Sequence, residues 1–431
     1  MIPGGSVKAS VTGDEATINF EFETVGEGDL LMLALPHHQD IIDQDQLVSN
    51  VKLNGMKGDM VGVSGDVWTM KETLTTINWS APRPIKDDKI EDVRKALPED
   101  IGFSVTVNDT YFGGKQLAAI ARLALIADEL GEEELAETYR TNLKGHIQPW
   151  LEEDGGTRTL LYDSTWGGIV DYQGINDPGA NFGMGYYNDH HFHLGYFIYA
   201  AAVLTKGDPA WYDEHGEAIL SLLRDFSNPA TENGDPYFPY MRNKDWFVGH
   251  SWAAGIFDFA DGRNQESTSE SVNAWYAVSL YGLASGNDRI RDLGRLALAT
   301  EIRSAQKYWQ IKSGNTIYPS PFADNKVVGV LWGAKVDYAT FFGANTEFIH
   351  CIQMLPFTPI TEELLPSDWI SEEYEILKTA IGSAEEGWKG FIYMAHAIID
   401  PEGAWTEAQT LTGYDDGNTK TNTLYWLATR P

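Results

Sequence analysis

Apolar and polar positions alternate along the first part of the chain, up to about residue 80. Residues 7–11 and 16–22 follow this period of two, with turn-forming residues between them. A short apolar run over 29–35 predicts a buried strand, and residues 51–55 end in an Asn-Gly pair that is typical of hairpins. The pattern predicts a β-rich N-terminal region.

The periodicity changes after Pro82 and Pro84, which precede a charged run. Residues 115–130 place their apolar side chains on one broad helical stripe, and Gly131 ends it. Further helices are predicted over 133–147, 190–204, 211–226, 269–285, 289–311, 343–355, 370–381, 384–398 and 420–428.

This succession predicts a mainly α protein with two domains, a β-rich region over 1–95 and a helical domain over 96–431. Helices joined by aromatic and polar loops favour an α/α toroid with a cleft at one rim. A helical solenoid is the alternative, but the sequence has no fixed repeat, which counts against it.

The chain is strongly acidic, with 63 Asp and Glu against 31 Lys and Arg and a net charge of −32. Such a field repels nucleic acids and anionic membrane surfaces, so a neutral substrate is expected. The 14 Trp, 20 Tyr and 18 Phe suit either a large core or stacking on flat sugar faces. The acidity also fits a salt-rich habitat, a hypothesis that a folding stability independent of NaCl would end.

The single cysteine, Cys351, allows no internal disulfide, and its apolar neighbours predict a structural role in a buried helix. The N-terminal residues lack the basic flank and apolar run of a signal peptide. No apolar run is long enough to span a bilayer, so no membrane contact is expected.

Three of the ten histidines fall within the segment Asp189-His190-His191-Phe192-His193. Asp189 stands at the start of a predicted helix, and His193 lies one turn further on the same face. Asp189 is then either a plain N-cap or a catalytic acid that His193 orients. The histidines also have a spacing that reaches one metal ion, but the sequence singles out no further ligand.

Glu266 and Glu270 are four residues apart, so they share a face if a helix begins near Glu266. Like charges at this spacing disfavour each other, which points to a use other than helix stability. The alternative is a solvated acidic helix start, which the helix dipole favours. Asn273 extends the same face.

The two segments together fit the cleavage of a glycosidic bond. That reaction needs an acid for the leaving oxygen and a second carboxylate opposite it. Asp189 has aromatic neighbours, which raise a carboxyl pKa by burial, whereas Glu266 has polar ones. We therefore expect Asp189 to be the acid and Glu266 the base.

Two other segments have the composition of cleft loops. Residues 241–252 contain Trp246 and Trp252, which are candidate sugar platforms, although such rings are equally often part of a core. Residues 109–115 contain two glycines before Lys115 but lack the pattern of a phosphate-binding loop, which excludes that kind of nucleotide site.

The segments 187–193 and 262–274 resemble the two characteristic segments of glycoside hydrolase family 81, the endo-β-1,3-glucanases. Residues 109–115, 246–252 and 353–356, and the ending 415–422, are also similar. The resemblance implies an (α/α)6 catalytic domain, inversion at the anomeric carbon and no metal cofactor. Members usually begin with a large β-sandwich and a small linking domain, of which residues 1–95 match only the last part.

The resemblance implies that Asp189 is the general acid and Glu266 the general base, with Glu270 and His193 lining the same centre. Glu270 is expected to hold the attacking water or to tune Glu266. Within the matching segments, substrate contacts are expected from Tyr111, Lys115, Tyr187, Asn188, His190, Trp246, His250, Trp252, Arg263, Asn264 and Asn273.

The expected partner is a β-1,3-glucan, bound by a monomeric protein outside the cell, where such a polymer is found. One rival interpretation is a glucan-binding protein without catalysis, for which the paired carboxylates have no use. Another is a toroid glycosidase or lyase acting on a different polysaccharide, although a net charge of −32 suits an anionic polymer poorly.

Overall fold

The computed structural model describes residues 2–153, 155–230 and 234–431, so Met1 of the predicted β-rich region lies outside it. Within these residues the strands are β1 (Gly4–Thr12), β2 (Glu15–Glu23), β3 (Leu31–Ala34), β4 (Leu47–Gly55), β5 (Gly58–Ser64), β6 (Val67–Thr73), β7 (Leu160–Asp163), β8 (Gly168–Asp171), β9 (Lys244–Asp245), β10 (His250–Ser251), β11 (Asn264–Gln265), β12 (Val330–Trp332) and β13 (Val336–Asp337).

The α-helices of the same residues are α1 (Pro36–Gln39), α2 (Ile90–Glu99), α3 (Thr110–Leu130), α4 (Glu133–Leu151), α5 (Tyr172–Asn176), α6 (Ala180–Gly183), α7 (His190–Gly207), α8 (Pro209–Phe226), α9 (Thr268–Ala284), α10 (Asp288–Tyr308), α11 (Thr346–Cys351), α12 (Thr361–Leu364), α13 (Ser367–Leu377), α14 (Glu386–His396), α15 (Pro401–Ala408) and α16 (Lys420–Ala428). Short 3-10 helices occupy Gln44–Gln46, Gly156–Arg158, Met184–Tyr186, Phe322–Asn325 and Lys378–Ala380.

The N-terminal strands form two antiparallel sheets, with the orders β1-β2-β6 and β3-β5-β4. Their alternating side chains produce one apolar face, as the period of two predicted. Phe20, Trp68 and Met70 of this face pack in one cluster with Leu296 and Ala299 of α10. The β-rich region therefore lies against the helical part.

Six helix pairs follow one another around the helical part: α3 with α4, α7 with α8, α9 with α10, α11 with α13, α14 with α15, and α16 with α2. The first members α3, α7 and α9 are buried along most of their length, so they form the inside of the ring. This is the arrangement of an (α/α)6 toroid, and the predicted fold class is confirmed.

Local sequence explains where the inner helices begin and how closely they pack. Asp109 accepts a hydrogen bond from the Phe112 N–H at 2.7 Å and so caps α3, which ends at Gly131 in the left-handed region. A Cβ at Gly195 of α7 would lie 2.6 Å from that of Ala274 on α9. Only glycine permits this approach of the two helices.

The ten helices predicted in the sequence are all present, but α11 is shorter than the predicted 343–355. It is preceded by a turn at 340–343 and followed by Pro356, which cannot donate to a helix. The helix α2 spans the predicted boundary between 95 and 96 and packs against α16. That boundary stays a prediction.

Candidate functional site

Asp189 directly precedes α7 in a strained backbone conformation, with φ of 60°. Its N–H donates to the Ala253 carbonyl at 2.8 Å, and Asn188 Oδ1 accepts from the Gly255 N–H at 2.8 Å. These bonds hold the left-handed turn in place. The Asp189 carboxylate makes no capping hydrogen bond to the helix, so the interpretation as a plain N-cap is wrong.

The Asp189 carboxyl lies in surroundings that favour its protonated form. Burial raises its pKa well above the usual range, and the negative charges of Glu266 and Glu270 raise it further. No hydrogen-bond donor to this carboxyl occurs in the described part of the chain, so nothing there offsets these effects. The residue as a whole is half-buried.

Glu266 lies in the short link between β11 and α9. The helix begins at Thr268 and is capped by Ser267, whose hydroxyl accepts from the Glu270 N–H at 3.2 Å. Glu266 therefore precedes the helix instead of sharing a helical face with Glu270. Its carbonyl accepts a 2.7 Å hydrogen bond from Gln353 Nε2, which fixes the link.

The Glu266 carboxylate accepts a hydrogen bond from the Phe341 N–H at 2.8 Å. Burial raises its pKa to about 7; the Phe341 N–H lowers that pKa and the charge of Glu270 raises it. The prediction of polar surroundings for Glu266, which was based on its sequence neighbours, is therefore wrong. Glu266 is half-buried and remains open to solvent.

Glu270 is almost fully buried, and its Oε1 accepts a hydrogen bond from the Tyr196 hydroxyl at 2.7 Å. Burial raises its pKa, whereas the charge of Lys115 and the hydroxyls of Tyr196 and Tyr111 oppose the rise. Lys115 itself forms a 2.9 Å ion pair with Asp415. The predicted Tyr111 and Lys115 therefore meet Glu270, together with two residues that sequence reasoning missed.

Tyr196 stands seven residues after Asp189, two turns along the same helix, and this spacing was a usable signal. Asp415 and Phe341 come from distant loops, and no local pattern links them to the carboxylates.

His193 faces α3 instead of Asp189. Its Nδ1 lies 2.7 Å from the Thr110 hydroxyl, and its ring lies 5.4 Å from that of Tyr111. Burial and the neighbouring histidines lower its pKa well below the usual value, so the ring is neutral. His193 therefore supports the start of α3, which carries Tyr111. No hydrogen bond from its ring to Asp189 occurs among the described residues.

Two residues predicted to bind substrate use their polar atoms within the protein. Tyr187 is buried and donates to Asp163 at 2.9 Å. His190 is buried and lies 2.6 Å from Asp225, with its other nitrogen 2.9 Å from the Met184 carbonyl. Both support the turn before Asp189.

Residues 244–252, which belong to the predicted cleft loop 241–252, lie between the β-rich region and the toroid. His250 is buried beside Lys57, 2.7 Å away, and Trp252 donates to Asp245 at 3.1 Å. Trp246 packs against both apolar cores. These contacts belong to the junction of the two parts.

The remaining candidates come from the segment around Glu266. Asn264 is buried, and Asn273 bonds the carbonyls of Ser269 and Pro356 at 2.9 and 3.2 Å. Arg263 is exposed. Of these three side chains, only that of Arg263 is free to reach a ligand.

Five rings that sequence reasoning did not select form a continuous band, which we call the aromatic rim: Tyr186, Phe257, Phe259, Trp332 and Phe341. Successive ring centres are 5.3, 4.7, 5.7 and 5.5 Å apart. The band runs from Tyr186, three residues before Asp189, to Phe341, which contacts Glu266. Phe257 and Phe341 are exposed.

A model of the glycosyl hydrolase family 81 C-terminal domain matches residues 84–427, and one of the N-terminal domain matches residues 2–83. A glucan endo-1,3-beta-D-glucosidase of Glycine max is 40% identical over 96% of this chain and 64% of its own length. One of Arthroderma benhamiae is 36% identical over 93% of this chain and 46% of its own.

A solved structure of a mutant glycoside hydrolase family 81 protein from Clostridium thermocellum superimposes with a TM-score of 0.89 at 28% identity. It covers 99% of this chain and 60% of its own. The chain thus spans less than two thirds of the length of these relatives. The matches extend across both the β-rich region and the toroid, and the chain belongs to glycosyl hydrolase family 81.

Proposed function

We propose that this protein hydrolyses β-1,3-glucosidic bonds within β-glucans with inversion of the anomeric configuration. The observation that carries the proposal is the closeness of the carboxyls of two half-buried residues, Asp189 and Glu266. They lie close enough for the charge of Glu266 to raise the pKa of Asp189. The relatives named as glucan endo-1,3-beta-D-glucosidases support the choice of polymer.

Asp189 acts as the general acid. Burial and its two negative neighbours raise its pKa and so favour the protonated form, which can donate a proton to the glycosidic oxygen as the bond breaks. In the same step Glu266 takes up a proton, and the cycle closes when this proton is released to solvent and Asp189, repelled by the charge of Glu270, takes one up again.

Glu266 acts as the general base. The Phe341 N–H favours its ionised form, and the accessible carboxylate accepts a proton from water that attacks the opposite face of the sugar ring. Glu270 cannot take this role, because it is almost fully buried and bonded to Tyr196. Its charge instead tunes the two reacting groups.

The aromatic rim offers the glucan a surface for stacking between the acid and the base. Its rings are held by contact with one another, so little side-chain freedom is lost when a sugar binds. Arg263 and Tyr111 lie beside the two carboxylate segments and supply polar contacts. A neutral polymer enters without electrostatic penalty in a chain of net charge −32.

NMR of the fresh product from laminarin tests substrate, bond and stereochemistry together. The α-anomer should appear first, and Asp189→Asn and Glu266→Gln should each lower kcat by at least about a thousandfold while far-UV circular dichroism stays unchanged. Laminarin binding without release of reducing sugar in the wild-type protein would instead support a binding protein. Full activity of either variant would overturn the assignment of roles.

We further propose that the protein acts outside the cell, where such a polymer is found, that it is a monomer, and that its toroid domain begins at about residue 96. None of the described helices is long and apolar enough to cross a membrane. Detection in the culture medium and light scattering in solution test these two expectations.

A further inference from the structure

The strands β11, β12 and β13 form a small antiparallel sheet beside the proposed catalytic centre. Gln265 pairs with Leu331, which in turn pairs with Val336. Because β11 and β13 run in the same direction, their continuations leave the sheet at the same end. Glu266 follows β11 there, and Tyr338 follows β13.

The chain after β13 forms a closed turn. The Thr340 N–H donates to the Gly343 carbonyl at 2.9 Å, and the Gly343 N–H donates to the Thr340 hydroxyl at 2.9 Å. This turn presents the Phe341 N–H to Glu266 Oε1. The Phe341 side chain is 56% exposed, so burial of its ring does not hold the turn in place.

The start of the same segment is anchored on the toroid by a buried pair of residues. The Tyr338 hydroxyl lies 2.8 Å from Nε2 of His350, whose Nδ1 lies 2.5 Å from Glu373 Oε1. His350 belongs to α11 and Glu373 to α13, and both are fully buried. The carboxylate accepts, so Nδ1 carries a proton, and Nε2 is the ring atom that bonds the Tyr338 hydroxyl.

We infer that Tyr338 is a positioning residue for Glu266, because its bond to His350 anchors the 338–343 segment whose Phe341 N–H holds the Glu266 carboxylate. The inference rests on the proposed role of Glu266 as base. Without the anchor, the 338–343 segment shifts, and the N–H that favours the ionised form is no longer held at the carboxylate. Tyr338 touches neither the proposed substrate surface nor Glu266 itself, so its effect passes through the backbone.

The test is the pH dependence of laminarin hydrolysis in Tyr338→Phe, which keeps the ring and removes the hydroxyl. The pKa of the acid limb of kcat/KM should rise by about one unit, with about a tenfold loss well below that pKa and recovery toward wild-type rates at higher pH. Tyr139→Phe is the matched control: it removes a buried hydroxyl that donates to the Leu97 carbonyl on the outer ring. Its acid limb should stay in place.

Phe341→Ala separates the ring from the backbone donor, because it keeps the N–H: KM should rise while the acid limb stays in place. If Tyr338→Phe does not fold, Thr340→Val disrupts the same turn and should give the same upward shift. An acid limb in Tyr338→Phe that coincides with the control overturns the inference. Failure of the proposed function looks different, because wild-type protein would then release no reducing sugar.

Discussion

Nζ of Lys57 lies 2.7 Å from Nε2 of His250, inside the junction between the β-rich region and the toroid. Lys57 comes from the turn between β4 and β5, and its Nζ lies 5.2 Å from the ring centres of both Trp252 and Tyr308. His250 Nδ1 donates to the Ser251 carbonyl at 2.8 Å, so Nε2 accepts from the lysine. The Lys57 ammonium group thus contacts neutral side chains at a position that is almost fully buried.

Lys57→Met should stabilise the protein at pH 6.5. Burial lowers the pKa of Lys57 to about 7, with Asp245 opposing, from an ordinary value of 10.5. Between these two pH values the unfolded chain binds a proton that the folded chain releases, so the wild type gains stability as pH rises through this window. Below pH 7 the full cost of burying the charge remains.

We expect the free energy of unfolding of Lys57→Met to exceed that of the wild type by about 2 kcal/mol at pH 6.5. This difference in free energy should become smaller by pH 9.5. Urea unfolding at both pH values measures it. Lys52→Met, at an exposed position of the same hairpin, is the control and should change neither value appreciably. A gap independent of pH would show that Lys57 is not the titrating group.

The acid limb of the pH–rate profile should report Glu266. Because its pKa is about 7, kcat/KM for laminarin should fall tenfold per unit well below pH 7 as the base becomes protonated. The alkaline limb reports Asp189, whose raised pKa keeps the acid protonated to higher pH. The two groups interact, so the apparent values belong to the pair.

Glu270→Gln should move that acid limb to lower pH. The Glu270 charge raises the pKa of Glu266, and the amide keeps the shape without the charge. Profiles of the variant and the wild type, recorded at the same ionic strength, measure the shift. An unchanged or raised acid limb would show that Glu270 does not act on the base through its charge.

Trp332→Ala should raise KM for laminarin by about tenfold with a smaller effect on kcat, since loss of one stacking ring is worth about 1 kcal/mol or slightly more. Trp405→Ala is the matched control, because Trp405 is also half-buried but lies on the outer helix α15. Equal KM values for the two variants would show that the aromatic rim does not bind the substrate.

Dialysis against EDTA should leave laminarin hydrolysis unchanged. No three His, Cys, Asp or Glu side chains of the described ranges are grouped as a metal site requires. The histidines of the 190–193 segment contact Asp225, Gln265 and Thr110 instead. Activity that EDTA abolishes and added Zn²⁺ restores would contradict this expectation.

Sequence periodicity located β2 and the long helices, because β2 buries every second side chain and each long helix buries at least one face. It did not select the strands β7 to β13, each of which has four residues or fewer. It missed α2 and α15, which are short outer helices with one buried side. It overextended α11, because the apolar residues that follow that helix, Ile352, Met354 and Leu355, are buried without being helical. Hydrophobicity reports burial, and buried loops share that property with helices.

Local sequence also singled out the two proposed catalytic carboxylates but did not predict their surroundings. Asp189 and Glu266 stand in distinctive segments. The donor to Glu266 is the backbone N–H of Phe341, and the residue type at position 341 does not indicate this role. Polar neighbours along the chain suggested an open setting for Glu266. The neighbours that determine its pKa come instead from a loop some 75 positions away.

Ring closure by α2 and α16 has a consequence for biosynthesis. Arg83, just before α2, and Arg430, just after α16, both bond Glu362, at 2.6 and 2.8 Å, and the Lys86 N–H donates to the Ala428 carbonyl at 3.0 Å. The first helix of the circle therefore stays without its partner until residues up to 430 have left the ribosome. Until then one flank of its apolar surface is uncovered, and a nascent chain stalled before α16 has emerged exposes that surface to aggregation or to chaperones.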